Sequence, residues 1–234
     1  MSSPRTPVDI RPQPDDVSCG PTCLEALYRH YHRAIDLAEL RRDVDSLPHG
    51  GTMAVFLALD ALQRGFGAII YTYNLSLFDP TWFASGQKID LPAKLRAQAG
   101  VKTDPTLREA TRGYLEFLRL GGEVRYQELN RGLLETLLHD GHPVLTGLSS
   151  TYLYDDIREI PSNCRDDDIH GEPCGHFVIL TGLEADRVAI ADPYLDNPLA
   201  EGNHYKVGVE RLIGAVLLGA LTYDANLLVI RPRS

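Results

Sequence analysis

The stretch Gln13-Pro14-Asp15-Asp16-Val17-Ser18-Cys19-Gly20-Pro21-Thr22-Cys23 places a cysteine where a loop becomes a helix. Pro21 suits a first helical turn, where its missing N–H would be unpaired anyway. Leu24, Leu27, Tyr28 and Tyr31 follow at helical spacing, so a helix is predicted over 21–31. A helix start presents unpaired backbone N–H groups and the positive end of the dipole. Both favour the thiolate, which is the nucleophilic form of cysteine. Gly20 leaves room for a substrate to approach the Cys19 sulfur. Gln13 could aim its side-chain amide at an oxyanion beside that sulfur, with the Cys19 backbone N–H as second donor. Losing one donor of such a pair typically costs about 2.7–4 kcal/mol. Cys23, one turn further on, reads as a core residue.

A thiolate nucleophile at neutral pH wants an imidazole partner. His176 opens the apolar run His176-Phe177-Val178-Ile179-Leu180, so a rigid strand can hold it at the rim of a sheet. Asp192 ends the next apolar run, Ala189-Ile190-Ala191-Asp192-Pro193. Two antiparallel strands joined by the short loop 184–187 bring their far ends together. Those ends carry His176 and Asp192, so the carboxylate can orient the ring.

With these residues in place the chain resembles a papain-fold cysteine peptidase. More narrowly, it resembles the bacteriocin-processing (double-glycine leader) peptidase family and its stand-alone relatives. Gln13, Cys19-Gly20-Pro21, His176-Phe177-Val178-Ile179-Leu180 and Asp192-Pro193 carry the likeness, and Gly141-His142-Pro143-Val144-Leu145 matches the strand before the histidine. The likeness covers about residues 10–32 and 126–232. It implies Cys19 as nucleophile, His176 as proton shuttle, Asp192 as its orienting partner and Gln13 as oxyanion donor. No metal or organic cofactor is implied. The stretch 44–125 has no counterpart, and the interval between Cys19 and His176 is longer than in compact transporter-linked members.

The rest of the chain sets the frame. Its 234 residues are enough for one large domain with a full hydrophobic core. Apolar residues make up 44% and charged residues 24%, which excludes a mainly disordered chain. The net charge of −9 argues against nucleic acid and anionic lipid as partners. No run is long and apolar enough to span a bilayer, and residues 1–12 lack the apolar core of a signal peptide, so a cytoplasmic protein is expected. Four cysteines are too few for a disulfide scaffold.

Helices are predicted over 37–43, 52–64, 91–100, 105–120, 125–139 and 209–218. Strands are predicted over 68–73, 143–149, 177–183, 188–191, 204–207 and 226–231. Helices come first and strands mostly later. The expected architecture is therefore α+β, with the N-terminal Cys19 helix packed on an antiparallel sheet that carries His176 and Asp192. A single domain over 1–234 is expected, with a mainly helical insertion around 74–125.

Cys164 and Cys174 flank an acidic loop containing His170, but their spacing fits no usual zinc template. The run Asp166-Asp167-Asp168 could line a cleft and favour basic residues, although a solvated loop is the plainer reading. Tyr152 and Tyr154 could rim a pocket.

The expected activity is hydrolysis of a peptide or isopeptide bond in a peptide or protein substrate. The same machinery supports acyl transfer, such as transpeptidation or amide ligation, when an amine replaces water. A catalytically silent scaffold binding a peptide or protein, and a redox or metal protein built on the four cysteines, are the other readings. Oligomeric state is not legible.

Overall fold

The structure is a computed structural model that describes residues 8–47, 50–84, 89–139 and 141–233. Helices α1 (Cys19–His30), α2 (Leu37–Asp43) and α3 (Ala54–Gln63) lead into strand β1 (Phe66–Thr72). A short 3-10 turn at Pro80–Phe83 precedes α4 (Leu91–Val101), α5 (Pro105–Arg119) and β2 (Glu123–Arg125). Then come α6 (Arg131–Leu138), β3 (Val144–Ser149), α7 (Ser150–Tyr154), and the small strands β4 (Glu159–Ile160) and β5 (Arg165–Asp166). The chain closes with β6 (Gly175–Glu184), β7 (Arg187–Ala191), β8 (His204–Gly208), α8 (Val209–Leu218) and β9 (Asn226–Pro232).

Seven strands form one sheet in the order β2-β1-β9-β3-β6-β7-β8, and β4 pairs with β5 in a separate ribbon. All pairings in the large sheet are antiparallel except β1 with β2. Side chains alternate between two apolar cores. Phe177, Ile179, Leu228 and Ile230 join the core built by α1 to α5. Val178, Leu180, Leu227 and Val229 join the core on α6 to α8. The central strands therefore read as continuous apolar runs, as expected for a sheet covered on both faces. Each fully buried Leu, Ile or Phe contributes roughly 1.5–3 kcal/mol.

Side-chain caps explain most helix starts. Asp36 accepts from Ala38 N–H, Asp90 from Ala93, Asp104 from Thr106 and Leu107, and Asn130 from Leu133. The last cap corrects a sequence expectation. A helix was predicted over 125–139, yet α6 begins only after Asn130. Arg125 instead ends an edge strand parallel to β1, paired at Tyr71. Its guanidinium lies 5.8 Å from the Tyr71 ring centroid and donates to the Tyr71 hydroxyl at 3.2 Å. The amphipathic pattern is real, but Asn130 and the Tyr71 contact override it upstream. The predicted helix over 21–31 gains two residues at its start, since Cys19 itself opens α1.

In the stretch 74–125, α5 packs against α3 through Gly113, where a Cβ would lie 2.8 Å from the Phe56 ring. Phe78, Tyr114 and Phe117 are buried in the same core as α1.

Gly147 on β3 is pressed against the backbone before β9. A Cβ there would meet the Asp224 carbonyl oxygen at 2.6 Å and the Phe177 ring at 3.0 Å. Backbone cannot swing aside as a flexible side chain can. Gly147→Ala is expected to cost about 1–3 kcal/mol, the usual penalty for overpacking. Urea unfolding of both proteins measures it, and an unchanged midpoint would show that β9 yields freely.

Candidate active site

Helix α1 aims its first turn at the rim of the sheet, and its packing partner there is β6. Ser18 precedes the helix but does not cap it; its hydroxyl donates to Asp15 Oδ1 at 2.5 Å. The first-turn N–H groups, including that of Cys19, are thus left without a side-chain cap. Cys19 is 8% exposed. One turn on, Cys23 is fully buried and its thiol donates to the Phe177 carbonyl at 3.2 Å, which ties the helix to β6.

His176 stands second in β6, and Asp192 directly follows β7. The antiparallel pairing of these strands, with Ile179 opposite Ala191, sets the two residues side by side. His176 Nε2 lies 2.8 Å from Asp192 Oδ1. The Cys19 side chain is close enough to favour the charged form of the ring. With Nε2 engaged by Asp192, Nδ1 is the nitrogen left to face the sulfur. His176 is only 7% exposed and Asp192 is wholly buried.

Asp192 is held by more than the histidine. Its Oδ2 accepts from the Tyr154 hydroxyl at 2.6 Å and the Tyr205 hydroxyl at 2.5 Å, and its Oδ1 from the Tyr194 N–H at 2.8 Å. Burial alone would push this carboxyl up, but the His176 charge and the donated hydrogen bonds hold it below its ordinary value. Burial likewise works against a charged His176. The Asp192 carboxylate and the Cys19 sulfur outweigh it and raise the imidazole to about 10. Both influences favour the imidazolium form. Tyr154 and Tyr194 flank it, with ring centroids 6.1 and 6.3 Å away.

The other three thiols are all pushed towards the protonated form. Burial raises Cys23 well above its ordinary value, with Cys19 and Asp192 adding to it. Burial and the neighbouring Glu159 carboxyl raise Cys174 to about 11. Burial and nearby acids raise Cys164 as well.

Gln13 sits next to the same strand end, because its backbone N–H donates to the Pro193 carbonyl at 2.9 Å. Its Nε2 donates to the Asp15 carbonyl at 2.9 Å, which occupies one of two amide hydrogens. Its Oε1 is buried without a hydrogen-bond partner. Gln13 and His176 line one cavity of about 300 Å³ together with Tyr154, Tyr194, Glu159 and Cys174.

The acidic run divides. Asp166 lines this cavity, whereas Asp167 is spent on its own turn, accepting from the Ile169 and His170 N–H groups. Tyr152 is absent from the lining, and its ring stacks under Arg211 instead. Among the described residues no group of histidines, cysteines and acids is arranged to hold a metal ion. No helix of the described residues is long and apolar enough to cross a membrane.

Sequence reasoning missed Tyr205 as a partner of Asp192, and Asp156 and Glu159 as cavity residues. Tyr205 carried a weak signal, since it lies on the strand next to the one ending at Asp192. Asp224 was missed altogether. It is buried behind Gly175, and burial pushes its carboxyl up to about 8, against the Thr222 hydroxyl and the His176 charge. Asp192, held below its ordinary value, is thus the acid better suited to balance a charge on His176.

No family model and no curated protein matches the sequence. Solved structures do match the fold. A putative C39-like peptidase from Bacillus anthracis superposes with a TM-score of 0.51 at 14% identity, over 100% of this chain and 99% of that one. The peptidase domain of Streptococcus ComA, a bi-functional ABC transporter of a quorum-sensing pathway, gives 0.48 at 14% identity over 97% and 100%. A double glycine motif protease from an AMS/PCAT transporter, crystallised with its leader peptide, gives 0.48 at 14% identity over 99% and 98%. The sheet, the helix that opens on Cys19 and the Bacillus superposition agree, and the chain has the papain-like fold of a C39-like peptidase.

Proposed function

We propose that the chain is a cysteine peptidase-like thiol hydrolase that cleaves a peptide or isopeptide bond. The observation that carries this reading is the buried His176–Asp192 pair at the rim of the sheet, with Cys19 at the uncapped start of the helix packed beside it. The Cys19 thiolate attacks the scissile carbonyl carbon and forms a C–S bond. The carbonyl electrons move to oxygen, and the oxyanion is met by the Cys19 backbone N–H and the second amide hydrogen of Gln13. His176 gives its proton to the leaving nitrogen as the C–N bond breaks. The neutral ring then takes a proton from water, which attacks the thioester and regenerates the thiolate. Asp192 fixes the ring and stabilises the imidazolium.

The test is incubation with a diverse peptide library in heavy-oxygen water, read by mass spectrometry. Hydrolysis places heavy oxygen in the new C-terminal carboxyl of the cleaved peptides. Cleaved peptides that appear only as amides of an added amine would move the reading to acyl transfer. An intact library with both water and amine present would leave the silent peptide-binding scaffold as the better description.

A further inference from the structure

The cavity beside His176 is bordered by four carboxylates from separate parts of the chain. Asp16 comes from the loop before α1, Asp156 from the loop after α7, Glu159 from β4 and Asp166 from β5. No lysine or arginine of the described residues lines it. Glu159 and Asp166 sit directly opposite each other in the β4–β5 ribbon. Like charges in that position cost stability unless something offsets them. Arg165 in β5 and Arg158 before β4 do not line the cavity, and Arg158 donates to the Asp168 carbonyl. Burial, and then Asp166, Asp16 and Asp156, push the Glu159 carboxyl up, while its bond with Cys174 pulls the other way. Among the described residues no lysine or arginine of the cavity wall offsets these carboxylates, and Gln13 and His176 line the same cavity. A concave site of about 300 Å³ is at the small end of ligand pockets and suits a single long side chain.

We infer that this acidic cleft selects a substrate carrying an arginine or lysine side chain near the scissile bond. The inference rests on the thiol-hydrolase reading. The cationic head would sit among Asp16, Asp156, Glu159 and Asp166, and the apolar stem against Ile157 and Tyr194, which line the same cavity. A low-dielectric wall with charge of one sign concentrates the opposite charge and speeds its arrival.

Peptidyl chloromethyl ketones test this directly. The Cys19 sulfur displaces chloride from the methylene carbon, forming a C–S bond that mass spectrometry locates. Matched tripeptide pairs place arginine, or its neutral isostere citrulline, first, second or third from the reactive group. At one position arginine should label Cys19 at least about tenfold faster, as one favourable contact worth about 1.4 kcal/mol predicts. Exchanging Asp156→Asn, Glu159→Gln and Asp166→Asn together should bring that ratio close to one. Raising salt on the unaltered protein to about 1 M should shrink the ratio too, since the screening length falls to about 3 Å. This second arm needs no variant that folds. Equal labelling of Cys19 by both members of every pair overturns the cleft inference and leaves the nucleophile standing. Labelling of other cysteines but never Cys19 overturns the hydrolase reading and this inference with it.

Discussion

Replacing His176 by alanine is expected to remove the reactivity that sets Cys19 apart from the other thiols. In the unaltered protein, Cys19 should react with iodoacetamide at pH 7 faster than Cys164 and Cys174, because an imidazole beside the sulfur can take its proton. In His176→Ala that advantage should be lost. The exposed Cys164 and half-exposed Cys174 serve as internal standards. Both are pushed towards the protonated form and should react slowly at pH 7 in either protein. Turnover of any peptide found to be cleaved should drop by at least about 10³-fold, since nucleophile and base act as a unit. Removing His176 also leaves Asp192 charged and buried without its partner, which costs roughly 3–5 kcal/mol. His176→Gln, which keeps a donor facing Asp192, is therefore the companion variant, and circular dichroism checks that each folds. An advantage of Cys19 that survives both substitutions would mean that something other than the imidazole activates the sulfur.

The geometry behind that expectation was legible where it follows from local pattern. Cys19-Gly20-Pro21 marks a helix start by itself, and the apolar run after His176 marks a buried strand. Because β6 and β7 are joined by a two-residue turn, pairing of their far ends follows from chain connectivity, and His176 reaches Asp192. Features set by distant segments were not legible. Tyr154 and Tyr205 converge on Asp192 from α7 and β8, and no spacing links them. Asp156 and Glu159 carry no signal of a cleft until β4 and β5 fold beside the loop before α1. The start of α6 was misplaced for the opposite reason. A strong amphipathic period extended past Asn130, and only the tertiary pairing of Arg125 with Tyr71 shows where the period stops deciding structure.

Asp192→Asn should reverse the charge state of His176. Burial alone lowers an imidazole, and Asp192 is the largest influence raising this one to about 10. Without the carboxylate, burial is opposed only by Cys19. The ring is then expected to titrate below about 6.5, the ordinary histidine value, and to be neutral at pH 7. Its ring-proton NMR shift follows this directly. The stability of the two proteins should diverge in a defined window. A histidine raised in the folded state contributes fully below its unfolded value of about 6.5 and loses that contribution as pH rises towards its folded value. Asp192, depressed when folded, contributes fully above its unfolded value of about 3.9. The unaltered protein should therefore exceed Asp192→Asn by most between about pH 4 and 6.5, and the gap should narrow steadily towards alkaline pH. Tyr154→Phe and Tyr205→Phe form the contrast. Each removes one donor to a charged acceptor, costing about 1.5–3 kcal/mol, but leaves the carboxylate in place. In both, His176 should remain protonated at neutral pH. If His176 in Asp192→Asn stays protonated beyond about pH 8, well above the ordinary range, Asp192 is not its counter-charge, and Asp224 would be the acid that balances it.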